Sequence, residues 1–383
     1  MKFTFWIALG LLAYTYVGYF LLLSLLAPVM RRFRRQHRID DQYRPSVSMV
    51  ISLHNEEKLI AQRIANFEAL DYPPDRCELL LGDDCSSDQT RAIIREHVTR
   101  NPRIRFFLFD SHQGKTAVIN TLVPQATGEI IAFTDANTFY APDALRKMVR
   151  HFADNKIGSV SGRLILKSVT GVNTDDEYWK YETLLKRLEG DVGVVLGANG
   201  GIYSLRKFNF QPLKSSVIQI DDFIWPVSVY KHGYRGVYES DAIANEEASP
   251  HVQAEFRRKI RIGTGDYRAL VECWQLLLPW KGWIAFSFWS HKVLRWFAPF
   301  LLIALLITNA FLREYRWLFF AQCACYLAAS LGMFFSKQSH ILAKVLRIPY
   351  YFVGSNIALL IGFYKCVTGR QKATWTQKAH RTS

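Results

Sequence analysis

Oxygen-bearing side chains recur directly after apolar runs in the first half of the 383-residue chain. Glu56 follows the run SVSMVISL, Asp83 and Asp84 close CELLLGDD, and Asp135 and Asn137 follow EIIAF. If these runs are strands of one sheet, three acidic ends at one edge would crowd negative charge, which costs energy unless a cation or a ligand offsets it. A hard divalent cation held by carboxylate and amide oxygens, together with a diphosphate, is the economical explanation.

Two adjacent carboxylates, Asp221 and Asp222, stand among apolar residues in IQIDDFIWPV. Adjacent carboxylates also occur as ordinary loop charges. An unpaired carboxylate in apolar surroundings is costly, however, and its pKa rises. We therefore expect a raised pKa at this pair.

Three further features have a structural explanation beside a functional one. Lys115 in QGKTAVIN could be a solvated helix residue, and Asp88 precedes a helical run that it is predicted to cap. Asn199, Gly200 and Gly201 could form a bare turn, although small residues also allow a sugar to approach the backbone closely.

The elements that must position these residues alternate between residues 46 and 166. Strands as uniformly apolar as VISL and ELLL, separated by helical patterns, are typical of a parallel sheet buried on both faces. The predicted fold class is α/β, with a doubly wound, mostly parallel sheet whose ligands would bind beyond the carboxyl ends of the strands. The predicted strands are SVSMVISL, CELLLGD, IRFFLF, EIIAFTDA and IGSVSGRLIL, and the predicted helices are 56–69, 88–100, 114–126 and 142–152.

The apolar segment 3–28 carries no charged side chain and exceeds the roughly 20 residues that a helix needs to cross a bilayer. A cleaved signal peptide would have an apolar region of about 7 to 15 residues and a small-residue cleavage site. Here a basic cluster follows instead, so the favoured interpretation is a membrane anchor with the next domain in the cytoplasm. The cluster consists of Arg31, Arg32, Arg34, Arg35 and Arg38.

The amino-acid composition of the chain changes again after residue 266. Residues 267–296 mix five tryptophans with basic side chains, a composition suited to amphipathic helices in the headgroup region. Two spans are predicted at about 297–312 and 317–335, and a last apolar run covers 348–364. Three spans after a cytoplasmic domain would place the basic tail outside, against the positive-inside tendency, so the number of spans stays open.

The formal net charge of +15 could suggest nucleic acid as a partner. The basic residues gather beside apolar segments, however, where anionic lipid headgroups explain them better. Soluble basic patches with interleaved aromatics, expected of nucleic-acid readers, are not evident. The six cysteines have no CxxC or zinc-ligand spacing, which favours reduced, mostly buried thiols.

In combination, these motifs resemble those of membrane-bound family 2 glycosyltransferases with a GT-A fold. The layout is similar to that of exopolysaccharide, poly-N-acetylglucosamine, chitooligosaccharide, hyaluronan and cellulose synthases, and the resemblance covers nearly the whole chain. It implies that Glu56 in SLHNE contacts the nucleoside. It further implies that the motif DDCSSD supplies two donor-nucleotide-binding residues, Asp83 and Asp84, and that Asp84 contacts the edge of the nucleobase. Lys115 is implied to lie near the donor phosphates.

The resemblance also assigns the metal site. Asp135, Ala136 and Asn137 stand where the family has Asp-x-Asp, and Asn137 replaces the second aspartate. An amide oxygen can still ligate Mg²⁺ or Mn²⁺, directly or through water. The implied cofactor is therefore a divalent metal, Mg²⁺ or Mn²⁺.

The resemblance implies that motifs later in the chain bind the acceptor and supply the catalytic base. Asn199, Gly200 and Gly201 resemble the segment under the acceptor sugar. Asp221 and Asp222 match the family's Glu-Asp pair, whose second member, Asp222, would be the catalytic base.

A last motif, RKIRI, aligns with the family's Gln-x-x-Arg-Trp. Arg261 is retained and would hold the leaving diphosphate, with Arg258 beside it in place of the glutamine. Ile262 replaces the aromatic residue that supports the acceptor sugar, which puts the synthesis of long chains in doubt.

The function expected from the resemblance is an inverting transfer of a sugar from a nucleotide-sugar donor, a UDP-sugar by preference, to a glycan or lipid-linked acceptor in cell-surface polysaccharide synthesis. The alternatives are a single addition to a polyprenyl-linked oligosaccharide and a non-catalytic scaffold or transporter. The expected location is the plasma (inner) membrane, with the catalytic domain in the cytoplasm. The predicted domains are an anchor (1–30), a catalytic domain (45–265), interfacial helices (266–296), transmembrane helices (297–365) and a basic tail (366–383).

Overall fold

The computed structural model describes residues 1–33, 37–167, 176–214, 220–247, 252–335 and 341–370. The chain divides into two compact units. The sheet unit is formed mainly by 27–169 and 180–248, and the apolar-helix unit by 1–26 and 249–371. Arg34, Arg35 and most of the predicted basic tail lie outside the described residues.

One mixed sheet of eight strands organises the sheet unit, in the order β3-β2-β1-β4-β7-β6-β8-β5. Parallel pairs join β3, β2, β1 and β4, and a further parallel pair joins β6 to β8. The strands β5 and β7 pair antiparallel with their neighbours. The strands are β1 (Val47–Leu53), β2 (Cys77–Asp84), β3 (Ile104–Phe109), β4 (Ile130–Phe133), β5 (Thr138–Tyr140), β6 (Ile157–Lys167), β7 (Tyr203–Arg206) and β8 (Arg235–Glu247).

The predicted fold class is confirmed, and all five predicted strands are present as β1 to β4 and β6. The prediction missed three strands. β5 and β7 contain only 3 and 4 residues, too short for a periodic pattern. β8, in RGVYESDAIANEE, carries charges along much of its length, because it pairs with the short β5 on one side and has several side chains in contact with solvent.

Two layers of helices cover the sheet, as its doubly apolar strands predict. Adjacent residues of β1 point to opposite faces: Met49 and Ile51 pack into one core cluster, and Val50 packs into the other with Phe133 and Trp225. The helices of this unit are α3 (Ile60–Glu68), α4 (Thr90–Arg100), α5 (Lys115–Gln125), α6 (Ala144–Val149), α7 (Asp176–Val192) and α8 (Asp221–Ser228). Side chains of α7 are described from residue 181 onward.

The apolar-helix unit consists of helices before and after the sheet unit. They are α1 (Lys2–Ala13), α2 (Tyr19–Phe33), α9 (Val252–Glu272), α10 (Trp283–Ser287), α11 (Leu294–Trp296), α12 (Ala298–Phe311), α13 (Arg316–Phe335) and α14 (Ile341–Thr368). Turns of π-helix connect α1 to α2 (Tyr14–Gly18) and α10 to α11 (Phe288–Val293). A Cβ on Gly362 would lie 2.7 Å from the carbonyl carbon of Gly263, so α14 and α9 cross with their backbones in close approach.

Three helical segments of the described chain are long and apolar enough to cross a membrane: 2–33, 313–335 and 345–368. The predicted span at 297–312 differs, because α12 contains only 14 residues and, at about 1.5 Å per residue, falls short of the hydrocarbon core. It is long and apolar enough to cross a membrane only together with 283–296, across a bend of 59°. The last apolar run, predicted over 348–364, belongs to a longer helix of 28 residues.

Candidate active site

The loops after β1 and β2 hold each other in place. Asn55 and Cys85 adopt positive φ angles of 56° and 60°, which side chains other than glycine seldom do. Two hydrogen bonds offset the energetic cost of this conformation at Asn55. Its backbone N–H donates to Ser86 Oγ at 2.9 Å, and its Oδ1 accepts from the Ser87 N–H at 2.8 Å. The two strand ends therefore form one rigid surface.

Asp88 belongs to the same surface. Its carboxylate accepts hydrogen bonds from the backbone N–H groups of Thr90 (3.0 Å), the first residue of α4, and Glu57 (3.1 Å). The N-cap residue of α4 is Gln89, so Asp88 lies one residue before the predicted capping position, although its carboxylate still accepts from the first N–H of the helix. Glu56, which the resemblance places against the nucleoside, is 8% exposed, and its backbone N–H donates to Thr90 Oγ1 at 2.8 Å.

Asp83 is fully buried at the end of β2. Its Oδ2 accepts from the Ser86 N–H at 3.1 Å and from Arg91 Nε at 2.5 Å. Sequence reasoning did not single out Arg91, although its position eight residues after an acid at the start of a helix is a usable signal. The contacts assign Asp83 first to holding the turn between β2 and α4.

Asp84 organises the loop that leads to Lys115. Its two carboxylate oxygens accept from the backbone N–H groups of Gln113 (2.6 Å) and Gly114 (2.7 Å). His112 Nδ1 lies 2.8 Å from Asp84 Oδ2. The ring of His54 stacks on His112 at 4.1 Å, and His54 Nδ1 lies 2.7 Å from the carbonyl oxygen of Asp84.

Lys115 begins α5 directly after Gly114, whose φ of 90° turns the chain into the helix. Its Nζ lies 3.0 Å from Asp135 Oδ1 and 3.1 Å from Asp221 Oδ2. Burial lowers the pKa of Lys115, but the carboxylates of Asp135, Asp221 and Asp222 outweigh it and raise the pKa well above its usual value. The alternative of a solvated helix residue is wrong, because this ammonium joins the two acidic segments of the site.

Asp221 and Asp222 form the first turn of α8, where the unpaired backbone N–H groups of a helix favour negative charge. The pKa of Asp222 is raised to about 6, chiefly by burial and then by the neighbouring Asp221, whereas Lys115 and Lys186 act to lower it. Tyr203 O–H donates to Asp221 Oδ2 at 3.3 Å. The expected raised pKa thus falls on Asp222.

The segment 197–201 packs against this turn. The Ala198 N–H donates to the backbone oxygen of Asp222 at 2.7 Å, and a Cβ on Gly200 would lie only 2.9 Å from Asp222 Oδ2. Gly201 is as close to β5, since its Cβ would lie 2.4 Å from Thr138 Oγ1. At both glycines the backbone approaches its neighbours so closely that an added Cβ would force a neighbouring atom to shift.

Asn199 connects this segment to α7, a connection that sequence reasoning missed. Its Oδ1 accepts from the buried Lys186 Nζ at 2.7 Å, and its Nδ2 donates to the Gly162 carbonyl oxygen at 2.7 Å. A lysine on an amphipathic helix carries no local signal that it is buried. Only the folded structure shows that its charge lies near Asp222.

Asn137 lies in the turn between β4 and β5, and its Nδ2 donates to Glu246 Oε1 on β8 at 2.9 Å. Glu246 was also missed. The side chain of Asp135 is about a quarter exposed. The oxygens of Asp135 and Asn137 are of the hard type that Mg²⁺ and Mn²⁺ prefer, so the donor set fits a divalent cation. No three His, Cys, Asp or Glu side chains gather as a metal site anywhere in the described part of the chain.

The three residues predicted from RKIRI lie on α9, in the apolar-helix unit. Arg258 is exposed and pairs with Glu255 through Nε to Oε2 at 2.8 Å. Arg261 and Ile262 are half-buried on the same helix. The acidic strand ends, Lys115 and the Asp221–Asp222 pair all belong to the sheet unit.

The solved structure of a mannosyltransferase from Pyrobaculum calidifontis, in complex with GDP-Man and Mn²⁺, is similar to this chain in fold. The match has a TM-score of 0.70 at 21% identity and covers 96% of this chain and all of that one. Similarity at this identity establishes the fold, and it agrees with the predicted GT-A architecture.

Two curated relatives match part of the chain. A Beta-monoglucosyldiacylglycerol synthase from Synechocystis sp. is 24% identical over 253 residues, which are 62% of this chain and 52% of that protein. A Poly-beta-1,6-N-acetyl-D-glucosamine synthase from Staphylococcus aureus is 24% identical over 257 residues, which are 65% and 55%. The chain therefore spans about half the length of these relatives.

The family described as Glycosyl transferase family 2 matches residues 48–214, from β1 to the segment after β7. The matched region contains every acidic strand end, Lys115 and the glycine segment beside Asp222. The fold and the family agree with each other and with the resemblance carried by the motifs. Residues 48–214 thus form a Glycosyl transferase family 2 domain.

Proposed function

We propose that this enzyme transfers a sugar from a nucleotide-sugar donor in a single, inverting displacement. The observation that carries the proposal is the charge arrangement around Lys115. One buried ammonium contacts Asp135, at the end of β4, and Asp221, beside the half-buried Asp222. This arrangement supports a site in which the donor phosphates and the proton acceptor lie next to each other.

Asp222 is the general base of the proposed reaction. Its carboxylate takes the proton of the acceptor hydroxyl, the acceptor oxygen forms the new bond to the anomeric carbon, and the bond from that carbon to the diphosphate breaks. The nucleoside diphosphate leaves with the electron pair, so no covalent intermediate with the enzyme is needed. A pKa raised to about 6 leaves Asp222 largely ionised at neutral pH and basic enough to accept a proton.

Positively charged side chains stabilise the departing diphosphate in the proposed reaction. Lys115 stands between the two acidic segments, and the resemblance assigns Arg261, with Arg258 beside it, to the same charge. Fixed positive groups aimed at developing negative charge are an effective way to lower a barrier. A divalent cation held by Asp135 and Asn137 would add Lewis-acid stabilisation of the same oxygens.

The nucleoside is proposed to bind at the ends of β1 and β2. Glu56 is the candidate for direct contact. Asp83 and Asp84 hold the turn after β2 and the loop before Lys115, and through these they shape the site. The acceptor is proposed to lie over Asn199, Gly200 and Gly201, where Gly200 places no side chain against the Asp222 carboxylate.

The proposed acceptor is a glycan or a lipid-linked sugar at the plasma membrane, with the sheet unit in the cytoplasm. Three helices apolar enough to cross a membrane support this placement. The relatives include one synthase named for a glycolipid and one named for a polysaccharide, so both acceptor classes are represented at equal identity. Ile262, where the resembling synthases carry an aromatic residue, favours short products or single additions.

The test is mass analysis of the products that the detergent-purified enzyme forms from a panel of UDP- and GDP-sugars, with glycolipid and oligosaccharide acceptors. We expect one donor to be used and the product to gain one or a few sugars. Ile262→Trp should lengthen the product and Ile262→Leu should not, because aromatic stacking on a sugar contributes about 1 kcal/mol beyond buried area. Long polymer from the wild type would contradict the short-product proposal, and no transfer from any donor would contradict the proposed reaction.

A further inference from the structure

We propose that Glu246 is a positioning residue of the cation site, where it supplies the second carboxylate that Asp135-Ala136-Asn137 lacks and orients the Asn137 amide. This inference rests on the proposed function, since it concerns the cation that the transfer would use. It assigns a role to a residue outside the motifs of the resemblance and outside residues 48–214.

The backbone fixes Glu246 beside Asn137. β5 begins at Thr138, directly after Asn137, and Thr138 pairs with Glu246 of β8 in antiparallel register. The turn before β5 is closed by the Thr138 N–H, which donates to the carbonyl oxygen of Asp135 at 3.2 Å. The strand pairing therefore brings the glutamate to the turn that carries the predicted cation ligands.

The side-chain contact then sets the direction of the amide. Glu246 Oε1 accepts from Asn137 Nδ2 at 2.9 Å. An ionised carboxylate accepts hydrogen bonds and donates none, so it selects the amide nitrogen of Asn137 and leaves Oδ1 on the other side of the group. A cation binds only the oxygen, so this contact prevents the flipped amide from presenting its nitrogen as a false ligand.

Charge gives a second reason for a carboxylate at this position. Lys115 Nζ lies 3.0 Å from Asp135 Oδ1, so the carboxylate predicted to bind the cation already shares its charge with an ammonium. Asn137 adds no charge. Glu246 brings a negative charge to within one hydrogen bond of Asn137, which offsets the aspartate that is missing from the motif.

The experiment measures Mn²⁺ binding rather than turnover. Free Mn²⁺ is counted by electron paramagnetic resonance during titration of the detergent-purified full chain with MnCl₂, in the presence of saturating UDP or GDP. We expect Glu246→Gln to raise the Mn²⁺ Kd at least about tenfold, as loss of partners behind a metal ligand commonly does. Glu247→Gln, one residue along the same strand, is the matched control and should leave the Kd unchanged.

A compensating pair makes the test specific. Asn137→Asp combined with Glu246→Gln moves the carboxylate from β8 into the turn, and we expect the double variant to return to within about threefold of the wild-type Kd. Thermal unfolding of every variant confirms that it is folded. An unchanged Kd in Glu246→Gln, or a double variant no better than the single one, would overturn the role of Glu246. No Mn²⁺ binding by the wild type with either nucleotide would instead contradict the proposed cation site itself.

Discussion

At the scale of single residues, the site depends on a balance of buried charges. Asp222 is pushed toward its neutral form by burial and by Asp221, and toward its charged form by Lys115 and Lys186. The balance leaves its pKa at about 6. A base with this pKa is ionised at neutral pH, yet it is a better proton acceptor than an ordinary aspartate, whose pKa is about 3.9.

Replacement of one nearby lysine by a neutral residue should shift the pKa of Asp222 measurably. Lys186→Met takes away a positive charge that lowers the pKa of Asp222, so that pKa should rise. Because the ionised form is the active base, the acidic limb of the kcat/KM profile should move to higher pH, and activity should fall most near pH 6 to 7. The measurement is the pH profile of the purified variant.

Lys186→Arg, which keeps the charge, is the matched control, and the acidic limb of its kcat/KM profile should stay at the wild-type pH. Asn199→Ser separates the hydrogen bond from the charge, because it removes the partner of Lys186 Nζ but leaves the ammonium. If the limb of Lys186→Met stays at the wild-type pH while the rate falls, the lysine acts on packing alone and the charge argument is wrong.

Sequence reasoning reached part of this site. Asp135, Asp221, Asp222 and Lys115 could be predicted, because acids after buried strands and charged residues within apolar runs require an explanation. Lys186 and Glu246 could not be predicted, since Lys186 reaches Asn199 only through the fold of the intervening chain and Glu246 reaches Asn137 only through a strand pairing.

At the scale of elements, the position of Asp222 depends on the fit between α8 and the segment 197–201. The backbone of Ala198 bonds to the backbone of Asp222, and Gly200 faces the Asp222 carboxylate without an intervening side chain. The fit is tight on both sides, because Gly201 meets Thr138 on β5.

Gly200→Ala should therefore displace the base. Its Cβ would lie 2.9 Å from Asp222 Oδ2, closer than real Cβ contacts allow, so the carboxylate must move. Because misplacement of a reacting group by about 1 Å can cost 10²-fold, we expect kcat to fall by at least about tenfold with little loss of thermal stability. The measurement is steady-state kinetics together with a melting curve.

Gly190→Ala is the control for this substitution. Gly190 lies in α7, and its Cβ would meet neighbours only at 4.0 Å, an ordinary contact, so activity should be preserved. Equal activity of the two variants would mean that the base tolerates movement and that the close approach at Gly200 has no catalytic consequence.

The strands that the sequence pattern predicted correctly are those buried on both faces. β1, β2 and β4 are almost wholly buried, and a continuous apolar run is the expected sequence of such strands. The sequence of β8 contains no such apolar run, although this strand positions Glu246 beside Asn137. Its polar residues reflect a place near the edge of the sheet, where half of a strand meets solvent.

At the scale of the whole molecule, the distribution of charge and apolar helices argues for a membrane enzyme. Arg31 and Arg32 close the first apolar helix just before the sheet unit. Lys2 Nζ lies 2.6 Å from Glu314 Oε1, which places the N-terminus and the turn before α13 at the same end of the apolar-helix unit. With the sheet unit in the cytoplasm, both should face the outside.

Labelling with a membrane-impermeant maleimide tests this topology. Asp75→Cys, at a side chain 79% exposed in the sheet unit, should react in inverted vesicles but not in intact spheroplasts. Glu314→Cys, at a side chain 58% exposed, should show the opposite pattern. The wild type, with its six native cysteines, corrects for background. Labelling of both sites from the same side would contradict the proposed arrangement.

The most direct test of the account is the rate of sugar transfer by Asp222→Asn, measured with the donor that the wild type selects, alongside the Kd of that donor. The amide has nearly the shape of the carboxylate but cannot accept the proton of the acceptor hydroxyl. We predict that the transfer rate falls by at least about 10²-fold while the donor Kd changes by less than about threefold. Transfer at close to the wild-type rate would contradict the assignment of Asp222 as the base and the mechanism built on it.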